Sequence, residues 1–424
     1  MSAGTSTPTS KPVAERLLGV VEPLLDRTPV RLRAWDGSEA GPADAPLVEL
    51  RDPQALRRLL WHPGELGAAQ AYVAGEADLP GDLESTRGAL LGSDRPALVP
   101  GVVPRLRALA RLARLARTAD LIGRPPAAPA TQARVRGRLH SRARDRASIS
   151  HHYDLSNDFY GLILDESMAY SCAYYAEPTM TVAQAQHAKL SLVCAKLGLE
   201  PGDTFLDVGC GWGSLSLHAA RHFGARVVGV TISAEQQRFV QARIDREGLQ
   251  DRVEVRLCDY RDVGGTFDAV ASLEMGEHVG EQNYATYAAA LHDRVRPGGR
   301  VLVQQMSRTG RHPGGGPFIE SFIAPDMHMR PVGETVAYLE RAGLEVRDVH
   351  ALREHYVLTV AAWLERFEAN AEALAELAGE EMLRVWRLYL VGGAAAFREG
   401  RMGADQILAV RPGADHGLPL ARAW

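Results

Sequence analysis

From about residue 180 to residue 307 the chain alternates two kinds of segment. Short apolar, β-branched runs are bounded by Gly, Asp or Ser: TFLDVG, RVVGVTIS, VEVRLCD, FDAVASLE and GRVLVQQM. Their length and flanks predict strands buried on both faces. Between them, apolar residues recur at helical spacing over Val182–Leu197, Ser214–Phe223, Ala234–Glu247 and a stretch around Tyr284–Val295. Strands alternating with crossover helices of this length predict an α/β fold, a doubly wound parallel sheet with helices on both faces. Upstream the pattern is different. A strand is expected over Val30–Trp35 and a helix over Pro53–Leu60, followed by a Gly-punctuated stretch from Gly64 to Leu83. This reads as a smaller, mainly helical N-terminal domain.

Between the two lies RLRALARLARLART, Arg105 to Thr118, with Leu106, Leu109, Ala110 and Ala113 on one side and arginines on much of the rest. That is amphipathic helix spacing with a cationic face. A Pro/Gly-rich break over 123–129 and a second basic run from Arg134 to Arg146 follow. The expected organisation is therefore residues 1–122 as an N-terminal domain, 123–147 as a basic linker and 148–424 as the main α/β domain.

Composition adds little until charge is mapped. With 424 residues, 46% hydrophobic and 24% charged, the chain has material for two globular domains. No apolar run approaches the roughly 18 residues needed to span a bilayer. The N-terminus MSAGTSTPTSKP has no basic-then-apolar signal and reads as a short disordered lead. Cys172, Cys194, Cys210 and Cys258 have neither paired nor metal-type spacing, which suits reduced thiols in the cytoplasm. No metal is expected. The net charge of −4 hides an asymmetry, since residues 101–150 hold twelve arginines against Asp120 and Asp145. A segment of that charge attracts polyanions, either nucleic acid or anionic lipid headgroups.

The chemistry begins at Asp207-Val208-Gly209-Cys210-Gly211-Trp212-Gly213, where the first strand of the alternation turns into a helix. Glycines at alternate positions let the backbone approach a ligand closely. A dinucleotide site would carry a sixth-position glycine, where this chain has Ser214. The acid Asp207 suits a cofactor without pyrophosphate that bears an amino-acid head and a sulfonium. The next strand ends in Thr231, Ser233 and Gln236, candidates for the ribose. Asp259, Tyr260 and Arg261 fall where an adenine edge and face would lie.

Further motifs carry a resemblance. HYDLSNDFY from His152, YSCAYY from Tyr170, LDVGCGWG, VTISAEQQ, CDYRD, Glu277-His278-Val279-Gly280 and WRLYLVGGAAAFREG resemble the cyclopropane-fatty-acyl-phospholipid synthases. LGAAQAYVAGEADLPGDL resembles the small helical domain of their longer bacterial members. The resemblance implies a Rossmann-like class I methyltransferase sheet that uses S-adenosyl-L-methionine, with Tyr170 and Ser171 closing over its methionyl end. It also implies an acceptor double bond in a phospholipid acyl chain and a cytoplasmic enzyme peripheral on the inner membrane face. Lipid then accounts for the arginines better than nucleic acid does, whose methyltransferase motifs are missing. A non-catalytic lipid-binding relative and a homo-oligomer stay open.

In the resembled synthases a bicarbonate ion removes the final proton. Carried over, its cradle is the backbone at Cys172 with Glu277, Gln304 and Tyr356; Gln304 replaces a histidine, so the anion should bind more weakly. Glu277 is then expected to act as the base itself, with His278 or Glu274 nearby. Aromatic faces for a transient cation are offered by Tyr174, Tyr175, Trp212, Tyr356 and Trp363. Gly276 stands where many members have an aromatic, which would enlarge or reshape the pocket, and Gly393 stands where many have Cys. The loop Arg311–Pro317 reads as a lid or a surface insertion. A relocated base favours a methylene branch of the actinobacterial, tuberculostearic type, completed by a separate reductase. Cyclopropane closure is the alternative.

Overall fold

The computed structural model describes residues 11–22, 28–91, 110–111, 123–134, 137, 141, 144, 155–309, 314–422 and 424. Two compact units divide between Gln132 and Ala133, inside the segment expected to be a linker.

The first unit has helices α1 (Val13–Val21), α2 (Gln54–Trp61), α3 (Glu65–Val73) and α4 (Leu83–Leu91). It also holds a small sheet of β1 (Arg31–Arg33), β2 (Glu39–Ala40), β3 (Leu47–Leu50) and β4 (Ala77–Asp78), in the order β2-β1-β3-β4. More of its residues are helical than extended. Of the sheet, only the β1 region is expected as a strand; β2 and β4, at two residues each, show no alternation to detect. Residues of the expected linker belong to this unit's packing. Arg57 donates to the carbonyl of Arg124, and Arg58 donates to that of Ala127 at 2.8 Å. Of the arginine-rich run Arg105–Thr118, all but Ala110 and Arg111 lies outside the described residues, as do His152, Tyr153 and Asp154 and the first three residues of the loop 311–317.

The second unit opens with α5 (Asn157–Ile163) and α6 (Val182–Leu197). It continues as β5 (Thr204–Val208), α7 (Ser214–His222), β6 (Arg226–Thr231), α8 (Ala234–Glu247), β7 (Val253–Leu257), β8 (Phe267–Leu273), α9 (Gly276–Val279), α10 (Tyr284–Arg294) and β9 (Val295–Ser307). Then come α11 (Pro317–Phe322), α12 (Val332–Arg341), β10 (Glu345–Ala351), α13 (Arg353–Ala369), α14 (Ala371–Ala378), α15 (Glu380–Arg398) and β11 (Gly403–Val410). The seven strands order as β10-β11-β9-β8-β5-β6-β7. All pairings from β9 to β7 are parallel, and β11 runs antiparallel between β9 and β10. This is the doubly wound class I methyltransferase sheet, with one reversed strand.

Local sequence sets the helix ends. Thr181 and Gln184 form a reciprocal capping box at the start of α6, and Gly198 closes it in the left-handed conformation. Ser233 caps α8 and Gly248 ends it in the same way. The sheet buries one cluster around Val193, Phe205, Leu217 and Ile244, and another around Leu206, Val270, Tyr287 and Leu339. A third, aromatic-rich cluster joins α5, α13 and α15 around Tyr160, Trp212, Trp363 and Trp386. Crossing from β5 to α7, from β6 to α8 and from β8 to α9, the chain leaves three strand ends side by side. In an open parallel sheet that is where a ligand binds.

Candidate active site

A cleft of about 1160 Å³, including its open mouth, lies at these strand ends. Its lining includes Tyr170, Ser171, Asp207, Gly209, Gly211, Thr231, Gln236, Asp259, Tyr260, Arg261 and His278. The structure thus brings together most of the residues expected to hold the cofactor. It adds Trp212, Asn283, Met275 and Glu274.

The glycine turn is shaped for close approach. Gly209, Gly211 and Gly213 all have φ between 54° and 80°. A Cβ on Gly209 would meet the Met275 sulfur at 3.0 Å, and one on Gly213 would meet Val240 at 2.9 Å. At Gly211 it would meet nothing within 4 Å, because that residue faces open space. The Gly209 and Cys210 amides both donate to the Val230 carbonyl, at 3.0 and 2.9 Å, which fixes the turn against β6.

Asp207 is buried beneath the turn and accepts a 2.7 Å hydrogen bond from the Ser216 hydroxyl. Burial raises it to about 6, with Ser216 and the charge of Lys189 pulling the other way. Thr231 donates to Gln236 at 2.8 Å. Ser233, expected on the ribose, is instead the α8 N-cap and is not part of the lining. Both Asp259 oxygens accept from Arg261, at 2.7 and 2.6 Å, so this pair presents itself to the cleft as a unit. The donor set fits S-adenosylmethionine. It offers a carboxylate for the cationic amino-acid head, a hydroxyl and an amide for the ribose, and an apolar and aromatic wall for the base.

At the inner end stands a group that sequence reasoning missed. Lys189 on α6 is fully buried and donates to the Ser171 hydroxyl at 2.8 Å. Burial lowers its pKa to about 8, against the pull of Glu274, Asp165 and Asp207. One lysine thus positions the Tyr170-Ser171 segment and neutralises the carboxylates around it.

The two acids of the β8–α9 turn divide their work. Glu274 has a left-handed backbone, φ 52°, uncommon for a residue with a side chain. Its Oε1 accepts from the Cys172 amide at 3.3 Å and from Gln304 Nε2 at 3.1 Å. Its Oε2 has no hydrogen-bond partner among the described residues. Gln304 is held in turn, donating also to the Cys172 carbonyl at 3.1 Å and accepting from Gln406 at 2.9 Å. The β9–β11 register, which sets Gln304 opposite Gln406, produces that contact. Glu277 is buried, accepts from the Met306 amide and does not line the cleft. Its pKa is pushed well above the carboxylate range by burial and then by Glu274. Burial raises Glu274 too, but Gln304, the Cys172 amide and Lys189 hold it back.

The bicarbonate cradle therefore does not fit that ion. Two of its donors, the Cys172 amide and Gln304, are already spent on Glu274. Tyr356, the fourth expected member, is buried and stacked on Phe397 at 4.4 Å. His278 lines the cleft and is held neutral, pulled down to about 4 by burial.

The aromatics separate. Trp212 lines the cleft and packs on Tyr160 at 4.6 Å, with its indole donating to Asn157. Tyr170 packs between Tyr160, Trp363 and Trp386 and donates to the Tyr389 hydroxyl at 2.9 Å. Tyr174 and Tyr175 are engaged by His355 instead, through a ring stack and an amide hydrogen bond, and neither lines the cleft. Gly276 does not enlarge the pocket. A Cβ there would meet Gln305 at 2.1 Å and Tyr284 at 3.1 Å, so those side chains already fill the space. At Gly393 a Cβ would find nothing within 4 Å.

Comparison with known proteins agrees with this geometry. The sequence profile of the mycolic acid cyclopropane synthetase family matches residues 140–407. A probable fatty acid methyltransferase of Pseudomonas putida is 39% identical over 407 residues, covering 93% of this chain and 95% of that protein. A tuberculostearic acid methyltransferase of Mycobacterium tuberculosis is 35% identical, covering 95% of this chain and 93% of its own length. Among solved structures, a mycolic acid cyclopropane synthase complexed with SAH and CTAB superposes with a TM-score of 0.59 at 31% identity, over 63% of this chain and 98% of that one.

Proposed function

From the premise that this chain belongs to the mycolic acid cyclopropane synthetase family and is an S-adenosylmethionine-dependent methyltransferase, we infer that it methylates the cis double bond of an oleoyl-type chain in phospholipid and leaves a 10-methylene branch. The observation that carries the product is the position of Glu274, a lining carboxylate seated on the Cys172 amide and Gln304.

When bound, S-adenosylmethionine supplies an electrophilic methyl group. Asp207 holds its cationic head, the glycine turn admits its backbone-facing edge, and Tyr170 and Ser171, braced by Lys189, close the site against water. The alkene gives its π pair to that methyl, so that one C–C bond forms as the sulfur–methyl bond breaks, its pair leaving with S-adenosylhomocysteine, and a cation is left on the neighbouring chain carbon. Trp212 offers its face to that charge. A hydride shift moves the cation to the methyl-bearing carbon, and a proton then leaves the methyl, its C–H pair becoming the C=CH2 double bond of the methylene branch.

Glu274 takes that proton. Between two neighbouring carboxyls the less perturbed one is the base, and the other keeps its proton. Burial raises both, but Gln304, the Cys172 amide and Lys189 hold Glu274 back while Glu277 is pushed further up, so the role expected of Glu277 passes to Glu274, and Glu277 becomes its protonated neighbour. A base relocated to Glu274 favours loss of the proton after the cation has migrated. The methylene product then goes to a separate reductase. The enzyme works at the inner membrane face, where the arginine-rich segment between residues 101 and 150 meets anionic headgroups. Mass spectrometry of fatty acids from a bacterial host expressing the chain and fed oleate tests this. A gain of one CH2 with methylene-branch fragmentation is expected. A ring signature would make it a cyclopropane synthase, and no new species would remove the acceptor assignment.

A further inference from the structure

Away from the cleft, three histidines meet where α6 packs on α7. His218 and His222 stand one turn apart on α7, and His187 reaches them from α6. One ring nitrogen of each lies within 4.8 Å of the others. The ring centroids are 4.5 Å apart for His218–His222, 4.8 Å for His187–His218 and 5.2 Å for His187–His222. His218 is buried and the other two are exposed, so the cluster has a fixed floor and an open mouth. The Ser191 hydroxyl lies 3.0 Å from His218 Nε2 and orients that ring, as a supporting hydrogen bond does for a metal-bound histidine.

We propose that His187, His218 and His222 bind a divalent transition-metal ion of the zinc type, with water completing a tetrahedral site. Two histidines at i and i+4 share one helix face, and a third from a packed helix completes the open three-histidine arrangement. Metal–nitrogen bonds of about 2.0–2.1 Å require the rings to draw closer, and the two exposed rings can turn to do so. Imidazole ligands without thiolate or carboxylate favour zinc, copper or nickel over magnesium or calcium.

The location gives the ion a consequence. α6 carries Lys189, which holds Ser171, and α7 carries Ser216, which holds Asp207. A metal joining His187 to His218 and His222 ties together the two helices that hold Ser171 and Asp207 in the lining of the cofactor cleft.

The test is a Zn2+ titration of the full chain against a chromogenic chelator, repeated with the double variant His187→Gln/His222→Gln. Both positions are exposed, and cofactor binding by calorimetry verifies the fold; should the double variant lose it, His222→Gln alone is read instead. One Zn2+ per wild-type chain is expected, with affinity falling at least about tenfold per ligand removed. Co2+ should give the visible bands of a tetrahedral site in the wild type and lose them in the variant. No stoichiometric Zn2+, or equal affinity in wild type and variant, would overturn the proposal.

Discussion

The side chain with the sharpest expected signature is Asp207. Burial lifts it from 3.8 to about 6, and its ionised form is the one that attracts a cationic cofactor head. S-adenosylmethionine affinity should therefore be full above about pH 6 and fall as pH drops through that value, measured by calorimetry across the range. For folding the sign reverses. An acid raised in the native state costs nothing below its unfolded pKa, and its full cost, on the order of 3 kcal/mol, applies above the native one. Removing the Ser216 hydroxyl takes away a bond that favours the anion. Ser216→Ala should accordingly move the binding midpoint to higher pH; an unmoved midpoint would mean that another group governs the profile. Asp207 was legible in the sequence because it stands two residues before a glycine turn. Lys189 was not: nothing in α6 distinguishes it from a solvated lysine until the fold sets Asp165, Asp207 and Glu274 around it. The histidine site is similar, since His218 and His222 show helical spacing while the third ligand comes from 31 residues upstream.

Among the elements, the β8–α9 turn matters most. Glu274 holds a left-handed backbone that costs a non-glycine residue about 1–2 kcal/mol, and such strain is retained where the surroundings fix it for a purpose. Glu274→Gly relieves that strain and removes a buried carboxylate. We expect a thermal midpoint no lower than the wild type and turnover reduced by about 10²–10⁴-fold, the usual contribution of a general base. A marked fall in the midpoint would show that Glu274 is structural. Gly209→Ala should act oppositely, weakening cofactor binding because its Cβ combines a positive φ with a 3.0 Å approach to Met275. Strands β5 to β9 and their crossover helices were legible because each repeats a buried run and an amphipathic one. The elements after Pro317 were not. Gly392 and Gly393 lie in the middle of α15, which stays helical because Trp386, Leu390, Ala394 and Phe397 pack it against the aromatic cluster. The division of labour between Glu274 and Glu277 was equally hidden, because it depends on the β8–β9 register, which sets Leu273 beside Gln304 and so brings Glu274 to that amide.

At the scale of the whole molecule, a compact N-terminal unit precedes a methyltransferase unit, and the strongest positive charge lies between residues 101 and 150. Among the described residues no helix is long and apolar enough to cross a membrane. Attachment through charge predicts that the full chain co-sediments with anionic vesicles and that raising the salt releases it; binding unaffected by salt would contradict that mode. The central claim is that the chain's own carboxylate, Glu274, takes the proton that a diffusible bicarbonate would otherwise remove. The direct measurement is turnover of oleoyl phospholipid vesicles by purified protein in bicarbonate-depleted buffer, with product read by mass spectrometry. Undiminished formation of the methylene-branched chain, lost in Glu274→Gln, is the predicted result. Turnover that collapses without bicarbonate and returns on its addition would contradict it.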